Sequence, residues 1–399
     1  MRCVGTSGTH QNMKKHLHFD LQEYAARQEA SLRALKAGNL DGLLMFRQES
    51  MYYLTGYDTF GYVHFQALFL GADGHLCLLT RAPDRLQAEF TSVIQDIRVW
   101  VDGDGADPYA ELGVILAEQG IRGGRIGIEL EAYGLTAAKG MRVLSVLEGL
   151  CAYEDASDLV SRQRLIKSPA ELTYVRMAAE LADASLQEAE RLTRPGAYEG
   201  DILAAMQAAV FKGGGDDPAN ETIIGSGPGS LMCRYFSGRR HLDAVDQLTL
   251  EFAGVYRHYH ACLMRTLMVG RATAAQVSMH TAALDSMQAA REALRPGRPI
   301  GEVFDAHART LDAAGHRNHR MNACGYSLGT TFAPNWMDWP MVYAGNPVVA
   351  EPGMVFFIHI ILFDNQRELA MSLGQTVEVT GNGNDTLSRA PLDLIVTTA

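Results

Sequence analysis

The sequence predicts an α+β protein in two parts, a smaller N-terminal α/β domain over residues 1–160 and a larger α+β domain over 161–399. Three observations predict it. A chain of 399 residues exceeds what one ordinary hydrophobic core organises. Before residue 160 short apolar runs alternate with helical stretches, as in α/β units. Near residue 160 the alternation gives way to the long helical stretch SRQRLIKSPAELTYVRMAAELADASLQEAERL.

Each element has its local reason. Residues 21–37 have the apolar spacing of an amphipathic helix, and Asn39-Leu40-Asp41-Gly42 ends it with turn chemistry. Short apolar runs at 43–46, 51–54, 65–70 and 76–79, split by Gly and Asp, read as strands. A helix over 108–119, a strand over 125–128 and a helix over 140–147 continue the alternation. In the second part Ser168-Pro169 heads a helix, because proline in a first turn removes no hydrogen bond. Helices follow at 199–211, at 275–294 and after Pro299, with strands at 247–254, 260–269, 354–363 and 375–379.

Composition excludes several classes of function. The chain is 47% apolar and 20% charged, as globular proteins are. No apolar run reaches the roughly 18 residues of a membrane span. A net charge of −11 repels phosphate backbones, which argues against a nucleic-acid partner. The opening MRCVGTSGTHQNMKKHLHFD lacks an apolar signal-like stretch, from which a cytoplasmic protein is expected. Cys3, Cys77, Cys151, Cys233, Cys262 and Cys324 are far apart, so neither a zinc ribbon nor a disulfide framework is indicated.

Five strings stand in order along the second part: RLIKSPAEL at 164–172, GSGPGSL at 225–231, LEFAGVYRHYHACLMRTLMVG at 250–270, NACGYSLG at 322–329 and EPGMVFFIHI at 351–360. Together they resemble the creatinase/prolidase family, and DGLLMF…MYYLTGY at 41–57 resembles its N-terminal domain. The resemblance implies a pita-bread catalytic domain behind a creatinase-type α/β domain. It also implies a homodimer, in which Tyr52, Phe60 and Tyr62 are contact candidates at a partner's pocket. Metal-dependent members hold two ions with two Asp, one His and two Glu. By the resemblance those positions fall here on Glu251, Cys262, Tyr326, His359 and Gly374. One conservative change and four losses do not make a two-metal site, so no metal and no other cofactor is expected. A drifted, non-catalytic relative is the plain alternative, yet the replaced positions carry reactive or hydrogen-bonding side chains.

Creatinase's catalytic His corresponds to Arg234, whose guanidinium stays protonated and cannot be a base. It can clamp a carboxylate through two parallel hydrogen bonds. An Arg, a Glu and a His suit a small zwitterion carrying a carboxylate and a cyclic amidine. Within this family that implies hydrolysis of ectoine or its 5-hydroxy derivative, against a small-osmolyte lyase or a binding module. Glu251 then attacks the amidine carbon or holds a water that does, while His359 protonates the departing nitrogen or takes the water's proton. Trp336 and Trp339 are candidate aromatic walls for a cationic ring, and Tyr326 a hydrogen-bonding residue. A hairpin turning at Tyr256-Arg257 would pair 255 with 258 and set Glu251 opposite Cys262, with His260 on the same face. His258 and His260 as ordinary hairpin residues, and His359 as a core histidine, are the alternatives.

Overall fold

A computed structural model describes residues 14–234 and 238–398. Cys3 and most of the opening segment lie outside the described residues. The chain divides into two compact units, 1–163 and 164–399, and the division falls within helix α6 (Leu159–Leu165).

The first unit holds a mixed sheet of strands β1 (Gly42–Met45), β2 (Ala67–Gly71), β3 (Leu76–Arg81), β4 (Asp96–Trp100), β5 (Arg125–Ile128) and β6 (Ala152–Asp155). Among the described residues their order is β4-β3-β2-β1-β5-β6. Alternate residues of its strands enter two different cores. Leu44, Phe69 and Ile126 pack with Leu112 and Val143 of helices α4 (Pro108–Glu118) and α5 (Ala137–Leu147). Leu43, Leu68 and Leu78 pack with Leu35 of α1 (Leu21–Gly38), Leu54 of α2 (Gln48–Thr55) and Val160. Residues 51–54, expected as a strand, belong to α2. The reason is tertiary: the buried Glu129 carboxylate accepts the backbone N–H groups of Phe46 and Arg47 at 3.0 and 2.9 Å and the Ser50 hydroxyl, supplying a helix start from afar. A four-residue apolar run has no period of its own to resist this.

The second unit is a large sheet backed by α7 (Pro169–Leu192), α8 (Glu199–Lys212), α9 (Ala274–Ala293) and α10 (Gly301–Ala313). Its main strands are β7 (Ile223–Ser226), β8 (Asp246–Tyr256), β9 (Tyr259–Val269), β10 (Ala323–Ser327), β11 (Asp338–Tyr343), β12 (Val355–Asp364) and β13 (Leu369–Val379), in the order β11-β10-β12-β13-β9-β8-β7. Leu250, Phe252 and Leu263 face α7 and α8, while Phe356, Ile358 and Ile360 face α9 and α10. Helix α7 is fixed by a capping box: Ser168 Oγ accepts the Glu171 N–H at 3.2 Å and the Glu171 carboxylate accepts the Ser168 N–H at 3.0 Å. The other Glu171 oxygen accepts the Tyr259 hydroxyl at 2.8 Å, tying the helix to the start of β9. Gly254 lets α7 lie close on the sheet, because a Cβ there would stand 2.0 Å from the Ala178 carbonyl oxygen. Among the described residues no helix is long and apolar enough to cross a membrane.

Candidate active site

With even-numbered residues of β12 turned to the helices, odd ones face the opposite, unbacked side of the sheet. Direct antiparallel partners share a face. The register Glu251↔Met264, Met264↔Gly374 and Gly374↔His359 therefore runs one row across β8, β9, β13 and β12, with Glu251 and His359 at its ends. Tyr326, partner of Phe357, joins the same face from β10. In a flat sheet β10 and β8 would stand four spacings apart, roughly 19 Å, more than a tyrosine and a glutamate can bridge. Yet the Tyr326 hydroxyl donates to Glu251 Oε1 at 3.2 Å. The sheet is curled, and this face is its concave side.

The hairpin's register differs from the expected one. Arg257 and His258 form the turn, with φ of 51° and 64°, so Val255 pairs with His260, Ala253 with Cys262 and Glu251 with Met264. Positive φ at both turn residues gives the type I′ geometry that matches strand twist. The slip from the expected pairing is two residues, an even number, so Glu251, Cys262 and His260 still share a face while Cys262 lies diagonal to Glu251.

Glu251 is 9% exposed, and burial pushes its carboxyl up to about 7, against the lowering effects of the Tyr326 hydrogen bond and the Arg234 charge. Tyr326, 3% exposed, in turn accepts the Trp336 Nε1–H at 2.8 Å, which aims its proton at Glu251. Burial and the neighbouring Glu251 keep the Tyr326 phenol and the Cys262 thiol protonated. His359 is 8% exposed; burial lowers its imidazole to about 4 against a raising contact with its own backbone, and its Nδ1 has no other hydrogen-bond partner among the described residues. At neutral pH the pocket thus holds an uncharged imidazole, a neutral thiol and phenol, and a carboxyl close to its midpoint.

Other candidates lie elsewhere or do something else. His260 was a candidate for substrate contact, but protein atoms take both its ring nitrogens. Nε2 accepts the Ala219 N–H at 3.0 Å, and Nδ1 meets the His258 carbonyl at 2.9 Å and Thr331 Oγ1 at 3.1 Å. Trp336 is buried with its indole N–H spent on Tyr326, so it orients a neighbour rather than offering an open wall. Trp339 is half-exposed on β11. Arg234 is exposed in a turn after the 3₁₀ segment Gly227–Leu231 and acts on Glu251 through its charge. In the first unit Tyr52 is buried, with its hydroxyl 2.7 Å from His18 Nδ1; Phe60 is 77% exposed, and Tyr62 is buried. Two residues beside these candidates escaped sequence reasoning: Phe357, whose ring centroid lies 5.5 Å from those of Tyr326 and His359, and Thr376, whose hydroxyl accepts the Cys262 N–H at 2.8 Å and donates to the Cys262 carbonyl at 2.9 Å. The signal was present for Phe357, since it is two residues from His359 and alternation puts both on one face.

Residues 173–381 match the profile described as Metallopeptidase family M24, and residues 27–166 that of the Creatinase/Prolidase N-terminal domain. The chain is 26% identical over 392 residues to the uncharacterized hydrolase/peptidase y4tM of Sinorhizobium fredii, covering 95% of this chain and 99% of that one. It is 25% identical over 404 residues to the ectoine hydrolase of Halomonas elongata, covering 95% and 98%. Among solved structures, the dipeptidase PepE of Mycobacterium ulcerans shares the fold with a TM-score of 0.83 at 24% identity, over 96% of this chain and 100% of that one. The architecture is that of creatinases and prolidases, a pita-bread catalytic domain behind a creatinase-type N-terminal domain.

The metal ions implied by the family's name need a cage of anionic donors. Glu251 is the one carboxylate among the five positions that the sequence resemblance implies. At position 374 there is no side chain, and the Phe357 ring stands 2.5 Å from where a Cβ would be. No group of three or more His, Cys, Asp or Glu side chains among the described residues is arranged to hold a metal. The residues present do not fit a two-ion centre.

Proposed function

The chain belongs to metallopeptidase family M24, a family of hydrolases, and we propose that within it this protein hydrolyses a small cyclic amidine carboxylate, ectoine, without a metal ion. The observation that carries the reading is the buried Glu251 carboxyl, hydrogen-bonded through Tyr326 to Trp336 and sharing the concave face with an uncharged His359. The likeness to an ectoine hydrolase over 95% of the chain supports the choice of substrate.

An amidinium ring entering beside Glu251 brings a positive charge to a carboxyl poised near neutrality. Opposite charge favours the ionised form, so binding itself generates the carboxylate. The carboxylate then attacks the amidine carbon or takes a proton from the water that does. One C–N bond of the ring breaks, the carbon becomes an amide, and both water hydrogens finish on the departing nitrogen, which leaves as an ammonium. His359 enters unprotonated, so it relays a proton it has first received rather than supplying one of its own. In this reading Arg234, whose charge reaches Glu251, meets the substrate carboxylate, and the Tyr326 hydroxyl holds Glu251 in position.

Purified protein incubated with ectoine in excess chelator is expected to yield N-acetylated diaminobutyrate, followed by NMR. Absence of product from ectoine and 5-hydroxyectoine sinks the reading. Cleavage of an Xaa-Pro dipeptide on adding divalent metal replaces it with a peptidase.

A further inference from the structure

Taking His359 as a member of the reacting pocket, an assignment that rests on the reading above, we infer that Phe357 is the residue that positions its imidazole. Gly374 is the glycine that gives the Phe357 ring its place. The register partner of Phe357 on β13 is Thr376, yet its ring leans along the sheet into the next row, over Gly374, the partner of His359. A Cβ on Gly374 would come within 2.5 Å of Phe357 Cζ, 2.7 Å of Cε2 and 2.8 Å of Met264 Cβ, so ring and side chain exclude each other. The ring is fully buried, while His359 above it is 8% exposed.

Three rings stand in a nearly equilateral triangle. Centroids of Tyr326 and Phe357 are 5.5 Å apart, of Phe357 and His359 5.5 Å, and of Tyr326 and His359 5.7 Å, with interplanar angles of 45° to 56°. These are the separations of tilted aromatic pairs. Since His359 Nδ1 has no hydrogen-bond partner beyond its own backbone among the described residues, ring packing sets the orientation of the imidazole. The Phe357 ring fills the floor onto which that imidazole would otherwise settle, and so holds it toward Tyr326 and the pocket. Phe357 touches no substrate in this arrangement; it acts through His359.

The test uses Phe357→Leu, Gly374→Ala and the double variant, each checked for folding by thermal melting. Phe357→Leu is expected to lower kcat on ectoine about a hundredfold with KM changed less than about threefold, the size of loss a misplaced group produces. The acid titration midpoint of the His359 imidazole, followed by NMR without substrate, is expected to rise by about one pH unit or more as water reaches the ring. Gly374→Ala leaves phenylalanine in place but pushes its ring aside, and is expected to shift kcat and midpoint in the same directions. In the Phe357→Leu background the added methyl still meets Met264 Cβ but no longer the ring, so it is expected to lower kcat by a smaller factor than in wild type, a non-additivity that identifies the shared space. Folded single variants that keep wild-type kcat and the wild-type midpoint overturn the inference. Should Phe357→Leu not fold, Gly374→Ala and Phe357→Met carry the same comparison. Because the NMR titration needs no substrate, a shifted midpoint in a protein inert toward ectoine separates failure of the substrate reading from failure of this one.

Discussion

Glu251 concentrates the chemistry of the site and an energetic cost to the fold. Its folded value of about 7 lies above the 4.5 of an unperturbed glutamate, so between those values the folded state binds more protons than the unfolded one. Stability is therefore lost as pH rises through that window, by about 3 kcal/mol in all. Glu251→Gln removes the penalty. Urea unfolding is expected to find the variant more stable than wild type above pH 7 and equal to it near pH 4, with turnover abolished; a difference independent of pH would refute the buried-carboxyl account. Substrate binding is expected to release close to one proton at pH 6 and almost none at pH 8.5, measured by calorimetry in buffers of different ionisation enthalpy. Tyr326→Phe removes the hydrogen bond that lowers the Glu251 value, so the acid limb of kcat/KM is expected to move to higher pH. Glu251, Tyr326 and His359 were all legible as candidates in the sequence. The partner each one uses was not, because hydroxyl, indole and carboxyl meet only across a curled sheet.

At the scale of elements, the β8–β9 hairpin shows how a local reading errs without losing its point. A turn at Tyr256-Arg257 and one at Arg257-His258 differ by two residues in register, and a period of two leaves every side chain on its face. Nothing in the local letters requires the second turn, since it holds neither the Asn nor the Gly that type I′ turns prefer. Contacts beyond the hairpin hold it: the His258 N–H donates to Asp216 at 3.2 Å, the His258 ring stacks on Phe332 at 4.3 Å, and His260 joins the turn to Ala219 and Thr331. His260→Leu strands the Ala219 N–H and the His258 carbonyl. It is expected to cost about 3 kcal/mol in chemical denaturation while kcat/KM of the folded protein stays within a few-fold. A stable variant with collapsed kcat/KM would return His260 to the pocket. Helix α2 erred in the opposite sense, because its start is supplied by Glu129, some eighty residues away.

Over the whole molecule the buried histidines oppose Glu251. His260 and His307 are lowered to about 3 and His359 to about 4, each by burial first. Unfolded, they take protons near 6.5, so their contribution is complete above that pH and is lost as pH falls toward 4 and below. Three such groups outweigh Glu251, and the thermal midpoint is expected to fall steadily from pH 6.5 to pH 4. His307→Asn is expected to flatten that slope, and a midpoint flat in wild type would contradict the buried, neutral state of these rings.

Composition and alternation were enough for the two-part α/β and α+β class, since hydrophobic period and turn chemistry are local properties written residue by residue, and the resemblance of the ordered strings implied the family. The resemblance also implied which positions correspond to metal ligands in relatives. What only the tertiary structure decided is what those positions do. Curvature of the sheet brings β10 to β8, burial sets the protonation of Glu251 and His359, and one missing side chain at Gly374 makes room for the Phe357 ring. Each of these depends on distance and solvent exclusion between residues far apart in the chain, quantities that no local pattern of letters contains.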